Sequence, residues 1–375
     1  NVSAKAGETV FDLGGLKKQY AHEAGIYIND DWDISPRWRV SAGLRYSYFM
    51  QVGSFDRYIK DVTGQTVDTT HYDKGQKVAD YGGLEPRLSV RFMLDETSSI
   101  KAAFTQNYQY VHLATISPIS LPTDIWVPSS DVVKPQIGWQ YAAGYFKNFR
   151  DNDYESSVEF YYKKMLNQIE FVPGALPEDN VNNNTDNNFV FGSGESYGAE
   201  FFIKKRTGKL NGWIGYTLSW TTRTFDGIED GRTFYARYDR RHDLSVVAVY
   251  DLNDRWTFGA VFVYGTGNAI TLPESRYIIE GTIVPDWGPR NSYRMIAYHR
   301  ADISATYTCK PKKLFRKVPF QSTWNFAVYN LYNRKNPYFI YFDSEGSVQE
   351  GNLKVSAKQV SLFPILPSVT WNFSF

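Results

Sequence analysis

Residues 368–375 alternate without exception. Val369, Trp371, Phe373 and Phe375 have one parity, and Ser368, Thr370, Asn372 and Ser374 have the other. A period of two predicts a strand with an aromatic, apolar face and a small polar face. The same pattern recurs along the chain in pairs. Trp38, Val40, Ala42, Leu44, Tyr46 and Tyr48 oppose Arg39, Ser41, Gly43, Arg45 and Ser47. Leu84, Pro86, Leu88, Val90, Phe92 and Leu94 oppose Arg87, Ser89 and Arg91, and Ala301, Ile303, Ala305 and Tyr307 oppose Arg300, Asp302, Ser304 and Thr306. Six strand pairs are predicted: residues 24–32 with 38–48, 84–94 with 99–108, 136–146 with 154–162, 196–205 with 210–222, 243–250 with 256–264, and 297–307 with 320–329. Short turns join the members of each pair, and Gly208 supplies the positive φ of one of them. Long polar stretches separate the pairs, among them residues 51–83, 112–133, the Asn-rich 180–188 and 265–294. Residues 356–375 read as one long final strand bent at Pro364 and Pro367.

Alternating short turns and long loops, with one wholly apolar face per strand, describe an all-β chain: a transmembrane antiparallel up-and-down β-barrel with about thirteen strands in view. Bacterial single-chain barrels have an even strand number, and an open sheet edge cannot face lipid. Residues 1–375 are therefore expected to be a single barrel domain, incomplete at its amino terminus, with further strands upstream. The thirteenth strand runs in the same direction as the first, so the carboxy terminus is expected on the periplasmic side. Trp371, Phe373 and Phe375 are the expected assembly signal, read by the barrel-assembly machinery.

Composition changes this picture little. The 375-residue chain carries a formal net charge of +1, which argues against a nucleic-acid partner. Mean hydropathy is −0.43 and no run of about 18 apolar residues occurs, so no membrane-spanning helix is expected. Barrel strands escape that test because half of each faces a polar lumen. Aromatic content of 17% suits girdles at two membrane interfaces. The single cysteine, Cys309, allows no internal disulfide.

No catalytic set emerges, and neither an enzyme activity, a metal site nor a cofactor is expected. The five histidines are scattered, and His242, beside Arg240, Arg241 and Asp243, reads best as part of an ion network at a barrel rim. Gly265, Thr266, Gly267 and Asn268 form a turn leaving a strand with no helix after it, so they are no phosphate loop. Candidate residues facing the lumen, toward a substrate or a lumen-filling domain, are Arg39, Arg45, Arg87, Arg91, Glu159, Glu200, Arg300 and Asp302. Trp126, Trp287, Tyr293 and Tyr277 are candidate ligand-stacking residues in the loops.

Several stretches resemble the barrel of a TonB-dependent outer-membrane transporter of the kind common in Bacteroidetes. They are residues 24–46 (AGIYINDDWDISPRWRVSAGLRY), 196–219, 238–244 (YDRRHDL), 256–270, 325–337 (NFAVYNLYNRKNP) and the final LFPILPSVTWNFSF. The resemblance implies a 22-stranded barrel in the outer membrane of a Gram-negative bacterium, of which these would be the last thirteen strands. It implies an amino-terminal plug, not present here, whose TonB box engages TonB. It also implies active uptake of a scarce nutrient of the iron-chelate, cobalamin, oligosaccharide or peptide class. Outer-membrane lipid would surround the wall, and in the glycan-importing branch a surface lipoprotein would be a further partner. The competing readings are a passive porin, a surface-binding barrel without transport and, less well matched in strand length, a soluble β-propeller.

Overall fold

The computed structural model describes residues 3–6, 9–12, 18–61, 64–114, 125–172, 184–279, 282–310, 312–314, 318–346 and 351–374. One antiparallel sheet dominates, and two very short strands complete its 15 members. Its long strands are β1 (Tyr20–Ser35), β2 (Trp38–Val52), β3 (Lys77–Asp95), β4 (Ser98–Gln109), β5 (Gln136–Phe149), β6 (Tyr154–Phe171) and β7 (Phe189–Lys205). They continue as β8 (Leu210–Phe225), β9 (His242–Asn253), β10 (Trp256–Gly265), β11 (Tyr298–Thr308), β12 (Val318–Tyr329) and β13 (Leu366–Ser374). Each pairs with its neighbours in chain order, from β1 at one edge to β13 at the other. All six predicted pairs form, several with longer strands than the alternation marks. In the turn between β7 and β8, Gly208 has φ +88°, as predicted.

The register shows how the sheet meets its surroundings. A row of paired outward residues runs Trp38, Phe92, Ile100, Tyr145, Val158, Phe201, Tyr216, Leu244, Tyr264. Cross-strand aromatic contacts stabilise it, such as Trp38 on Phe92 at 4.5 Å and Phe201 on Tyr216 at 6.1 Å. Trp38 opens β2 beside a short turn, whereas Tyr264 lies at the loop end of β10. The row therefore climbs from one end of the sheet to the other, as the tilted strands of a barrel wall require. The outward side chains are left open to the surroundings: Ile26 is 72% exposed, Phe160 59% and Val369 61%. Water would make so large an apolar face unfavourable, and lipid would not.

The buried apolar residues sit at the loop end. Ala114, Val127, Val133, Ile169, Phe171 and Phe189 form one cluster, and Phe225, Ile228 and Phe234 another. The long connections fold into hairpins of their own. Phe55–Lys60 pairs with Thr66–Tyr72, Val111–Ala114 with Ile125–Pro128, and Pro273–Ile279 with Thr282–Trp287.

Three expectations need correction. Residues 356–375 are not one strand. Lys354–Ser361 pairs with Pro337–Glu345 in a loop hairpin, and only Leu366–Ser374 joins the wall, against β12. The chain breaks between them, with Phe363 at φ 54° and Pro364 unable to donate to a ladder. The stretch 51–83 is not all loop, because β3 already begins at Lys77. In the basic stretch 310–317, Lys312–Leu314 forms a short strand that pairs back onto β12.

Candidate functional site

The inward face carries the charges, and they fall into two zones. The first lies near the short turns. A register row runs Arg39, Arg91, Lys101, Gly144, Glu159, Glu200, Thr217. Three cations stand side by side on β2, β3 and β4, and two carboxylates stand side by side on β6 and β7. Directly opposed like charges destabilise a sheet, so each group depends on counter-charges from outside the row. Arg39 has them, at 3.4 Å from Asp31 and 3.9 Å from Asp33. Lys101 rests 3.9 Å from the Phe146 ring centroid, and Glu159 accepts a hydrogen bond from the Ser157 hydroxyl at 3.1 Å. The Arg91 Nε is buried with no hydrogen-bond partner. A cavity of about 330 Å³ opens over Arg39, Arg91, Lys101, Phe146 and Glu159. Gly144 is needed in this row, since a Cβ there would stand 2.7 Å from the Glu159 Cγ.

The other lumen candidates are internally paired. Arg45 and Arg87 flank the Glu85 carboxylate at 3.7 and 3.9 Å, and the Ser47 hydroxyl donates to Glu85 at 2.7 Å. Glu85 is buried, so this cluster braces β2 against β3. Arg300 donates to Asp302 at 2.9 Å and lies 4.0 Å from the Tyr329 ring centroid, while Asp302 accepts from the Asn330 backbone N–H at 2.8 Å.

The second zone is the loop end of the lumen, which sequence reasoning missed. The Glu170 carboxylate, at the end of β6, accepts from the Arg223 Nη1 at 3.1 Å and from Arg290, which comes from the β10–β11 connection. A cavity of about 230 Å³ lies between them, lined also by Arg237, Tyr238 and Leu113. Beside it, Asp239 is fully buried and holds Arg241 and Arg294, and it accepts the Thr221 backbone N–H at 2.6 Å. Arg241 in turn lies 4.5 Å from the Trp220 ring centroid. The predicted rim network is therefore present in the YDRRHDL stretch. Arg240 pairs with Asp243 at 3.6 Å, and the His242 Nδ1 meets the Tyr216 hydroxyl at 2.8 Å.

In the connections that follow β2, β4 and β6, Arg57 binds Asp186 at 2.8 Å and also Asp131. Asn184 donates to the Asp56 carbonyl and accepts from the Tyr58 N–H. Three connections are thereby tied into one unit. His112 is fully buried there, with its Nε2 2.9 Å from the Ser129 hydroxyl, and burial holds its pKa down to about 4.

The loop aromatics do not converge. Trp126 is 66% exposed and paired with Leu113, Trp287 and Tyr277 stand on a separate hairpin, and Tyr293 pairs with Ile270. Trp371 and Phe373 lie on the outer face of β13, packed on each other at 4.6 Å, and Phe375 lies outside the described residues. No group of three or more potential metal ligands occurs among the described residues.

Solved structures of the same fold include three receptors. The ferric-catecholate import receptor Fiu of E. coli K12 matches with a TM-score of 0.54 at 16% identity, covering 94% of this chain and 44% of that one. The ferric yersiniabactin uptake receptor FyuA of Yersinia pestis gives 0.59 at 13%, covering 95% and 46%. The siderophore receptor PiuA of Acinetobacter baumannii gives 0.57 at 15%, covering 94% and 43%. The chain thus spans less than half the length of each. Comparison with curated protein sequences finds no match. Residues 9–331 match the family described as TonB dependent receptor-like, beta-barrel. With an apolar outer wall, a charged inner wall and that match over most of its length, the chain belongs to the TonB-dependent receptor β-barrel family.

Proposed function

We propose that the chain is the carboxy-terminal wall of an energised outer-membrane importer of the Bacteroidetes type. In this reading residues 1–375 form one incomplete barrel domain, β1–β13 are the last thirteen of 22 strands, and the short turns lie in the periplasm. β1 and β13 run in the same direction, so direct closure would force a parallel pair into an antiparallel wall; further strands between them avoid this. A plug fills the lumen and engages TonB, and the barrel-assembly machinery reads β13 through Trp371, Phe373 and Phe375.

The observation that carries this reading is the inner row of Arg39, Arg91 and Lys101 beside Glu159 and Glu200. Its charges suit a docked domain that presents carboxylates to β2–β4 and cations to β6 and β7. The substrate class best supported is an iron chelate, because Fiu, FyuA and PiuA are receptors for such compounds.

Uptake of radiolabelled iron(III) chelates by cells carrying the full-length protein tests this. Uptake that stops when the proton-motive force is collapsed supports an importer, and uptake that continues identifies a passive pore. In the same cells, the double substitution Arg91→Glu with Lys101→Glu is expected to loosen the lumen domain and admit large antibiotics. Unchanged exclusion would remove the docking role from this row.

A further inference from the structure

The cavity at the loop end of the lumen contains three guanidinium groups and, among its described lining residues, one carboxylate. Glu170 is shared by Arg223 and Arg290, and Arg237 makes no ion pair among the described residues. The Nε atoms of Arg223 and Arg290 and the Nη1 of Arg237 are buried without a hydrogen-bond partner. The Glu229 carboxylate accepts the Arg290 backbone N–H at 2.6 Å and pairs with Arg232 at 3.4 Å. The site therefore holds an excess of positive charge and unused, partly desolvated N–H donors. Leaving a buried donor unmade costs about 1–3 kcal/mol, more for a charged one, and an oxyanion would satisfy several together.

Size limits what enters. At about 230 Å³ the cavity is smaller than the roughly 300–1,000 Å³ that encloses a drug-sized ligand. It fits one anionic arm, with the remainder of a ligand lying across Tyr238 and Leu113, which are 59% and 43% exposed.

We propose that Arg223, Arg237 and Arg290 form an oxyanion-recognition site at the outer mouth, which selects ligands bearing a carboxylate or phosphate arm over uncharged ones. The inference rests on the reading that this end of the lumen is the outer mouth. Glu170 positions Arg223 and Arg290, and Arg237 supplies the uncommitted donor.

Calorimetry on the purified full-length protein in detergent tests the site at equilibrium, without energy input. The probes are citrate–iron(III), inorganic phosphate and an uncharged trihydroxamate–iron(III) chelate. Citrate–iron(III) is expected to bind, with affinity falling as salt rises, and the uncharged chelate to bind more weakly. Binding of phosphate as tightly as citrate–iron(III) would assign the site to a free anion, and a preference for citrate–iron(III) would assign it to an arm of a larger ligand. Arg237→Gln is expected to weaken anion binding roughly tenfold or more, as loss of one charge-assisted bond does. Arg237→Lys should retain part of the affinity, and the uncharged probe should be indifferent to both. Heat-modifiable migration in gels verifies that the variants are folded. Equal affinity for charged and uncharged chelates, no effect of Arg237→Gln, or no anion binding at millimolar concentration would each overturn the proposal. Intact binding with failed energised uptake would count against the transport reading alone.

Discussion

Adjacent residues on one strand experience different solvents, and this governs what each position tolerates. On β12, Phe326 faces outward and is 44% exposed, while Asn325 faces inward and donates to the Thr306 hydroxyl at 2.8 Å. Phe326→Arg is expected to cost about 2–4 kcal/mol if it lies near mid-bilayer. Asn325→Arg should cost about 1 kcal/mol, the value of the lost hydrogen bond. Urea titration of folding into lipid vesicles measures both, and equal penalties would mean that the faces are wrongly assigned. Asp239 presents the opposite situation, a buried carboxylate on which two arginines and a backbone N–H depend. Asp239→Ala leaves those partners unmatched and is expected to cost about 3–5 kcal/mol. Limited proteolysis should then cut the connections around Arg241 and Arg294 first; an unaltered digestion pattern would show that the network is dispensable.

At the scale of elements, wall and loops obey different rules. Wall strands are specified by alternation, and their pairings follow chain order. The loop hairpins alternate too, which is why residues 356–361, within the hairpin strand Lys354–Ser361, read in sequence as a continuation of the closing strand. Period two reports a strand but does not say which sheet it joins. The hairpin holding His112 has a pH limit. Its folded pKa, about 4, lies below the ordinary 6.5, so the unfolded form takes up the proton first as pH falls. The neutral-His contribution is complete above pH 6.5 and is lost as pH falls from there toward 4, on the order of 3 kcal/mol in all. Hydrogen exchange in Val111–Ala114 and Ile125–Pro128 is expected to accelerate across that interval. His112→Gln should abolish the acceleration, and its persistence would place the sensitivity elsewhere.

For the whole molecule the decisive features are the two edges of the sheet. Unpaired backbone groups along β1 and β13 cannot face hydrocarbon without a large penalty. A wall closed on itself would bring the outward residues of β1, such as Ile26, beside those of β13, such as Val369, in some register, whereas a wall with intervening strands keeps the two strands apart. In full-length protein lacking Cys309, paired Ile26→Cys and Val369→Cys substitutions are expected to remain uncross-linked under oxidation. Efficient disulfide formation would show a barrel closed by these strands alone. The charge layout is also a property of the whole wall. Arg39, Arg91 and Lys101 belong to one band only because the staggered strands of β2–β4 bring them into register.

The sequence alone determined the six strand pairs of the wall and the two-sided character of its strands. That information is local: each strand lies between an apolar and a watery medium, so its alternation carries the answer within about ten residues. The parity that sets Arg39 and Arg91 opposite the apolar positions of their own strands is legible for this reason, whereas the register that lines up Trp38 to Tyr264 is not. Only the tertiary structure decided the mouth. Arg57 meets Asp186 across 129 residues, and Arg290 meets Glu170 across 120. These residues lie in or beside connections without a sustained period, where a lone arginine looks like any solvated surface charge. Their partners are chosen by how the loops fold over the lumen, a long-range outcome with no local signature.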